Sequence, residues 1–235
     1  MSWAERAADR SPLVHRSRAR SIAQAKSMVD AARRLVEEKG ERFTTQELVK
    51  EAGVALQTFY RHFEGKDQLL LAVLEDTIAE GAAHFEAAAR HLPDPLDRLH
   101  YYVTAVMEPV QSDDSVAARF ITSEHWRLHQ LFPQEMAYIT RPVTDLLLRD
   151  INEARSLGLL YPVDAERGAW LMTRLLMATF HHYAFATRDE GAETITEDVW
   201  AFCLNALGLK PNPAAKERRE ADRRSRGDRT RTSDS

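Results

Sequence analysis

The chain has 235 residues and a mass of 26.8 kDa, room for one large domain or two small ones. Nine glycines and nine prolines fall well short of the ~12% combined average, which excludes a many-stranded sandwich or barrel and favours long helices. No apolar run nears the ~20 residues of a membrane helix, and a single cysteine, Cys203, leaves no internal disulfide or multi-cysteine metal site.

The net charge of −4 hides a division. Residues 1–66 carry 13 basic and 9 acidic side chains, residues 67–209 carry 10 and 22, and residues 210–235 carry 9 and 5. A basic head on an acidic body suits a head that meets a polyanion. The plainer alternative is that charge follows solvated faces. The Arg-rich N-terminus lacks an apolar signal core, so a cytoplasmic protein is expected.

Residues 1–20, with Arg16, Arg18 and Arg20 clustered, read as a flexible basic arm. A first helix is expected from Ser21 to Lys39, where Ile22, Ala25, Val29, Ala32 and Val36 step by three or four and Gly40 closes the run. Thr44 followed by Glu47 has capping-box spacing and opens a short helix that stops before Gly53. A second short helix follows from Ala55 to Phe63, and a long one from Lys66 to His91. Weaker helical patterns occupy 95–110, 114–130, 134–157, 164–187 and 195–208. The stretch 210–235 has no apolar side chain larger than alanine apart from proline, and reads as a disordered Arg-rich tail.

The informative segment runs from Thr44 to Phe63. A short helix, a tight turn at Gly53 and a second short helix make a helix-turn-helix, with Leu48, Ala52, Val54 and Phe59 placed to hold the pair together. The second helix offers Gln57, Thr58, Tyr60, Arg61 and His62, with no carboxylate to repel phosphates. Lys66 adds a cation at the start of the next helix.

The stretch from Phe43 to Leu70 resembles the N-terminal domain of the TetR family of bacterial transcription regulators. Gly53-Val54, Thr58-Phe59-Tyr60-Arg61-His62-Phe63 and Gly65-Lys66-Asp67-Gln68-Leu69-Leu70 carry the likeness, which covers residues 20–75. Two positions depart from the family pattern: Ala55, where Ser or Thr usually caps the recognition helix, and Gln57, where Gly or Ala is common. The resemblance implies an all-α protein with a helix-turn-helix domain at 21–66 and a ligand-binding and dimerisation domain at 67–209. It places Thr45, Gln46, Thr58, Tyr60, His62 and Lys66 at phosphate or positioning contacts, and Leu56, Gln57 and Arg61 near base edges. For Tyr60 and His62, packing within the head stands as the alternative. It further implies a homodimer through the helices at 164–187 and 195–208, palindromic operator DNA, and release by a small molecule.

The body agrees with part of this from its own residues. Ala169 to Ala186 and the helix carrying Val199, Trp200, Phe202 and Cys203 are apolar nearly all round, so each must be buried on two sides, against a partner or internally. In the family the middle helices enclose an inducer pocket, for which Tyr102, Met107, Phe120, His125, Trp126, Met177, Phe180 and His181 are the candidates; any one of them could equally be core. His125 and His129 share a helix face, yet nothing else nearby completes a metal site, and no metal or cofactor is expected. None of the nucleotide, hydrolase or metalloprotease motifs occurs, so an enzyme is not expected. The expectation is a ligand-responsive repressor; the alternative is a helical small-molecule- or partner-binding protein whose head does not read DNA sequence.

Overall fold

The protein is described by a computed structural model covering residues 11–111, 116–161, 164–186 and 192–209. These residues form α1 (Pro12–Lys39), a 3-10 turn (Gly40–Arg42), α2 (Thr45–Glu51), α3 (Leu56–His62), α4 (Lys66–Ala89), α5 (Pro95–Gln111), α6 (Val116–Leu131), α7 (Pro133–Ile139), α8 (Arg141–Ser156), α9 (Ala165–Tyr183) and α10 (Ala192–Ala206). The only β-type pairing among them is an isolated antiparallel bridge between Leu160 and Leu209. The fold is all-α.

Two elements differ from the sequence expectation. α1 begins at Pro12, nine residues early, because proline is tolerated at a helix start and no helix breaker follows it. Residues 12–20, expected to form a loose arm, are helical. The helix expected over 134–157 is two, α7 and α8, broken at Thr140. Pro142 lacks an amide hydrogen and so cannot donate back to the Tyr138 carbonyl, which leaves the helical ladder open where α7 ends and α8 begins. Residues 1–10 and the proposed tail at 210–235 lie outside the described residues.

The head core gathers Met28, Ala32 and Leu35 of α1 with Phe43, Leu48 and Phe59. It does not close at residue 66. Leu70 and Leu74 of α4, Phe120 and Leu128 of α6, and Met136 and Ile139 of α7 complete it. The body core is separate: Leu99, Tyr102 and Val103 of α5 pack with Leu147 and Ile151 of α8, Met172 and Leu176 of α9, and Val199 and Cys203 of α10. Asp150, fully enclosed beneath this core, is held by the Arg98 guanidinium at 3.0 Å. Arg98 also donates to the carbonyls of Leu92 and Pro93, tying the α4–α5 connection to α8. α4 and α6 therefore belong to both halves, and any movement of the body against the head passes through them.

Candidate nucleic-acid interface and interior cavity

α2 starts at a complete capping box. The Glu47 amide donates to Thr44 Oγ1 at 3.2 Å, and the Thr44 amide donates back to Glu47 Oε2 at 2.8 Å. Lys39 reaches the same carboxylate at 2.7 Å, and this hydrogen bond, with the Thr44 amide second, holds Glu47 down to about 2. Gly53 then turns the chain with φ of 66°, a conformation that β-carbon sterics deny most residues. The Ser27 hydroxyl of α1 donates to the Ala52 carbonyl at 3.1 Å, fixing the turn to the first helix.

α3 is two-sided. Phe59 is buried and packs on Phe63 at 5.8 Å between ring centroids. Gln57, Tyr60 and Arg61 occupy the outer face with Leu56, and Tyr60 is 57% exposed. This answers the packing alternative for Tyr60. Thr58 and His62, one turn apart, are half-buried, and His62 Nε2 is enclosed without a hydrogen-bond partner among the described residues. Gln46 is exposed on α2, and Thr45 is half-buried at its first position. Lys66, expected to reach phosphate, turns inward: its ammonium donates to the Phe43 carbonyl at 2.8 Å and lies 4.2 Å over the Phe43 ring. As observed it is a bolt between α4 and the head.

The departure at Ala55 is visible in the structure. Its backbone has N-cap geometry, φ −75° and ψ 149°, but no side-chain oxygen answers the first amides of α3. Backbone bonds from Thr58 and Phe59 to the Ala55 carbonyl form the first turn unaided.

In the body, α4, α5, α6, α8 and α9 line a half-open apolar cavity of about 190 Å3. Ile78, Gly81 and Phe85 line one side, Ala105, Val106 and Pro109 another, and Ile121, Val143, Leu176, Met177 and Phe180 the rest. Thr77, Thr140 and Thr173 supply the hydroxyls, of which Thr77 and Thr173 already donate to their own helix backbones. Of the eight pocket candidates, Met177 and Phe180 line this cavity. The other six lie elsewhere. Tyr102 and Met107 are interior packing, and Phe120 borders an open cleft beside Glu37, Arg42 and Phe185. Trp126 is 61% exposed, because apolar side chains on helices also serve the surface.

His125 and His181 form a cluster of their own, 4.6 Å between ring centroids, with His129 stacked on His125. His181 Nδ1 meets the Thr122 hydroxyl at 2.9 Å, while His181 Nε2 and His125 Nδ1 have no partner among the described residues. Burial, then the nearby His181, His129 and Arg174, push His125 down to about 4. Among the described residues no three His, Cys, Asp or Glu side chains gather as a metal ion would require.

Ile78, Gly81, Phe85, Ile121 and Thr173 are among the lining residues that sequence reading missed. Gly81 carried a usable signal, since a mid-helix glycine is unfavourable by ~1 kcal/mol and often marks a packing constraint. α6 joins cavity to head. Ile121 faces the cavity; two turns later Arg127 bridges Glu124 and, at 2.7 Å, Asp67 in the first turn of α4.

A helix-turn-helix head on a helical body with an apolar cavity combines a unit that can enter the major groove with a site that can hold a small molecule. Residues 28–73 match the family described as bacterial regulatory proteins, tetR family. The match covers the helix-turn-helix head and the start of α4, so this segment resembles the DNA-binding domain of that family. Solved structures share the fold over most of the chain. FadR of Thermus thermophilus, a TetR-family repressor in complex with lauroyl-CoA, gives a TM-score of 0.64 at 17% identity, covering 80% of this chain and 97% of that one. The reduced form of E. coli NemR gives 0.62 at 17%, covering 80% and 99%. RolR in complex with resorcinol gives 0.61 at 18%, covering 81% and 90%. No curated protein sequence matches the chain.

Proposed function

We propose that this protein is a homodimeric repressor that binds a palindromic operator and is released by a compact apolar molecule. The observation that carries the DNA half is the outer face of α3: Gln57, Tyr60 and Arg61 stand exposed on one side of a helix whose other side is locked into the head by Phe59. Amide and guanidinium groups of this kind read the adenine and guanine edges of the major groove. Tyr60, Gln46 and Thr45 are the phosphate contacts, while Thr58, His62 and Lys66 position the helix from behind. No helix among the described residues is long and apolar enough to cross a membrane, which fits a cytoplasmic regulator.

The dimer half rests on exposed apolar side chains of the last two helices. Trp170 is 48% exposed and Leu171 52% on α9, and Phe202 is 63% exposed on α10. These two helices pack on each other, and exposed apolar side chains of this kind mark an interface. A two-fold dimer places two recognition helices about 34 Å apart, one turn of DNA.

The effector half rests on the cavity. At about 190 Å3 it compares with cavities of ~150 Å3 that bind benzene, so a single ring fits it. Of the ligands held by the structural neighbours, resorcinol is of this class and lauroyl-CoA is not. A ring wedged against Ile121 and Ile78 displaces α6 from α4. The Arg127–Asp67 pair then carries that shift to the first turn of α4 and the head. The ligand changes operator affinity only as far as it prefers one head spacing over the other.

The test is binding of the full chain to labelled DNA from upstream of its own gene, and to duplexes selected from random sequence, with excess competitor at about 150 mM salt. A saturable, competitor-resistant complex is expected. If neither source gives one, the head does not read sequence, and the chain is a helical ligand- or partner-binding protein.

A further inference from the structure

α1 continues three turns past everything it packs against. Residues 12–23 are exposed without exception, and the buried residues of α1 begin at Met28. Between Ser11 and Val29 the helix carries Arg16, Arg18, Arg20 and Lys26 and no carboxylate. None of these four cations has an ion-pair partner among the described residues. Cations in the first turns of a helix also oppose its dipole, whose positive end lies there. The segment thus holds positive charge that nothing among the described residues neutralises, at the end of the helix least suited to it.

Its direction is fixed by two hydrogen bonds. Ser27 donates to the Ala52 carbonyl at the helix-turn-helix turn, and Gln24 Oε1 accepts from Arg61 of α3 at 3.0 Å. Residues 24 and 27 therefore share the face of α1 that lies on the DNA-reading unit. Four and eight residues earlier on that helix stand Arg20 and Arg16, about 6 Å and 12 Å further along the axis and rotated by about 40° and 80°. Arg18 points to another side. The Gln24–Arg61 contact thus joins the exposed face of the recognition helix to a row of two exposed guanidinium groups, of which Arg16 donates through Nε alone to the Pro12 carbonyl at 3.2 Å.

We propose that Arg16 and Arg20 form a second DNA contact, binding the phosphate backbone next to the base pairs that α3 reads. The occupant is duplex DNA, since the row continues from a side chain already facing it. The contact is electrostatic and carries no base information, so it lengthens the footprint without altering the sequence read. This inference rests on the DNA reading proposed above.

The experiment compares the full-length protein with Arg16→Gln/Arg20→Gln and Arg16→Glu/Arg20→Glu on the duplex selected by the wild type. Affinity is measured across salt concentrations and on single-base variants of the site. The glutamine pair is expected to lower affinity on the order of tenfold for every duplex alike and to reduce the salt slope by about two per protomer. The glutamate pair complements the helix dipole, so its helicity by circular dichroism is retained or raised while binding falls further. Weak binding by a well-folded glutamate variant separates lost contact from lost structure. Unchanged affinity and slope overturn the proposal, as does a loss confined to particular base variants. If the wild type itself gives no competitor-resistant complex, the DNA reading falls first and takes this contact with it.

Discussion

His125 and His181 show how burial sets the charge of a side chain. The fold accommodates His125 neutral, with its value pushed from the ordinary 6.5 to about 4, and burial lowers His181 in the same direction. The groups facing His125 are His181 and Arg174 on α9 and His129 on α6, all of which oppose a second positive charge. Between those two values the unfolded chain binds a proton that the folded chain refuses. Stability is therefore full above pH 6.5 and falls as pH drops toward 4. Denaturant titration is expected to show His125 withdrawing on the order of 2 kcal/mol between pH 7 and pH 5. In the His125→Gln variant that part of the slope is absent; equal slopes would show the ring already protonated or solvated in the fold. On the head, Arg61 is exposed and hydrogen-bonds to Gln24. Arg61→Ala is expected to leave the melting temperature unchanged and to weaken operator binding by ~1–3 kcal/mol, with relaxed preference at one base position if it touches a base edge.

Single elements show where local sequence is decisive and where it is not. α3 begins at Ala55, whose backbone already has N-cap angles but whose side chain caps nothing. Ala55→Ser is therefore expected to raise stability by about 1 kcal/mol, read as a rise of ~2–4 °C in melting temperature. No rise would mean that the free amides of α3 are already satisfied by solvent. The helix-turn-helix was legible from sequence because its determinants lie within twenty residues: the Thr44–Glu47 box, Gly53 at positive φ, and Phe59 between the two helices. The break between α7 and α8 was missed because the apolar period runs straight through it, and only Pro142 marks it. The cavity was illegible for a different reason. A cavity is what side chains from five helices fail to fill, and composition names residues without saying which meet. Aromatic and polar side chains such as Tyr102 and His125 suggested a pocket. The actual lining includes Ile78, Gly81 and Ile121, which look like core, and Met177 and Phe180 were found because they are soft and aromatic side chains on a helix that is apolar nearly all round.

At the scale of the whole molecule, two separable properties have to coexist for regulation: a fixed distance between heads and a body that can alter it. In the proposed dimer the first depends on the α9–α10 face. Phe202→Arg places a charge at the most exposed apolar side chain of that face. It is expected to give a folded monomer by light scattering that has lost operator affinity, since each head alone holds half a site. The second property depends on empty space. Gly81 lines the cavity from α4, and a β-carbon there meets only the Phe85 ring, at 3.9 Å. A leucine side chain continues from that β-carbon into the cavity, where its flexible branches take up part of the space without the rigid width of a ring, so the spacing of α4 and α6 is kept. It also removes a helix-interior glycine, worth ~1 kcal/mol in favour of the folded state. Gly81→Leu is therefore expected to fold at least as stably as the wild type, to bind operator with unchanged affinity, and to ignore the ring-sized molecule that releases the wild type. The readout is operator binding titrated with a single-ring effector found by screening against the wild-type complex. A variant that is still released at the same effector concentration would place the effector outside this cavity. A variant that cannot bind operator at all would show that the walls do move when the space is filled, and that occupancy alone is the signal.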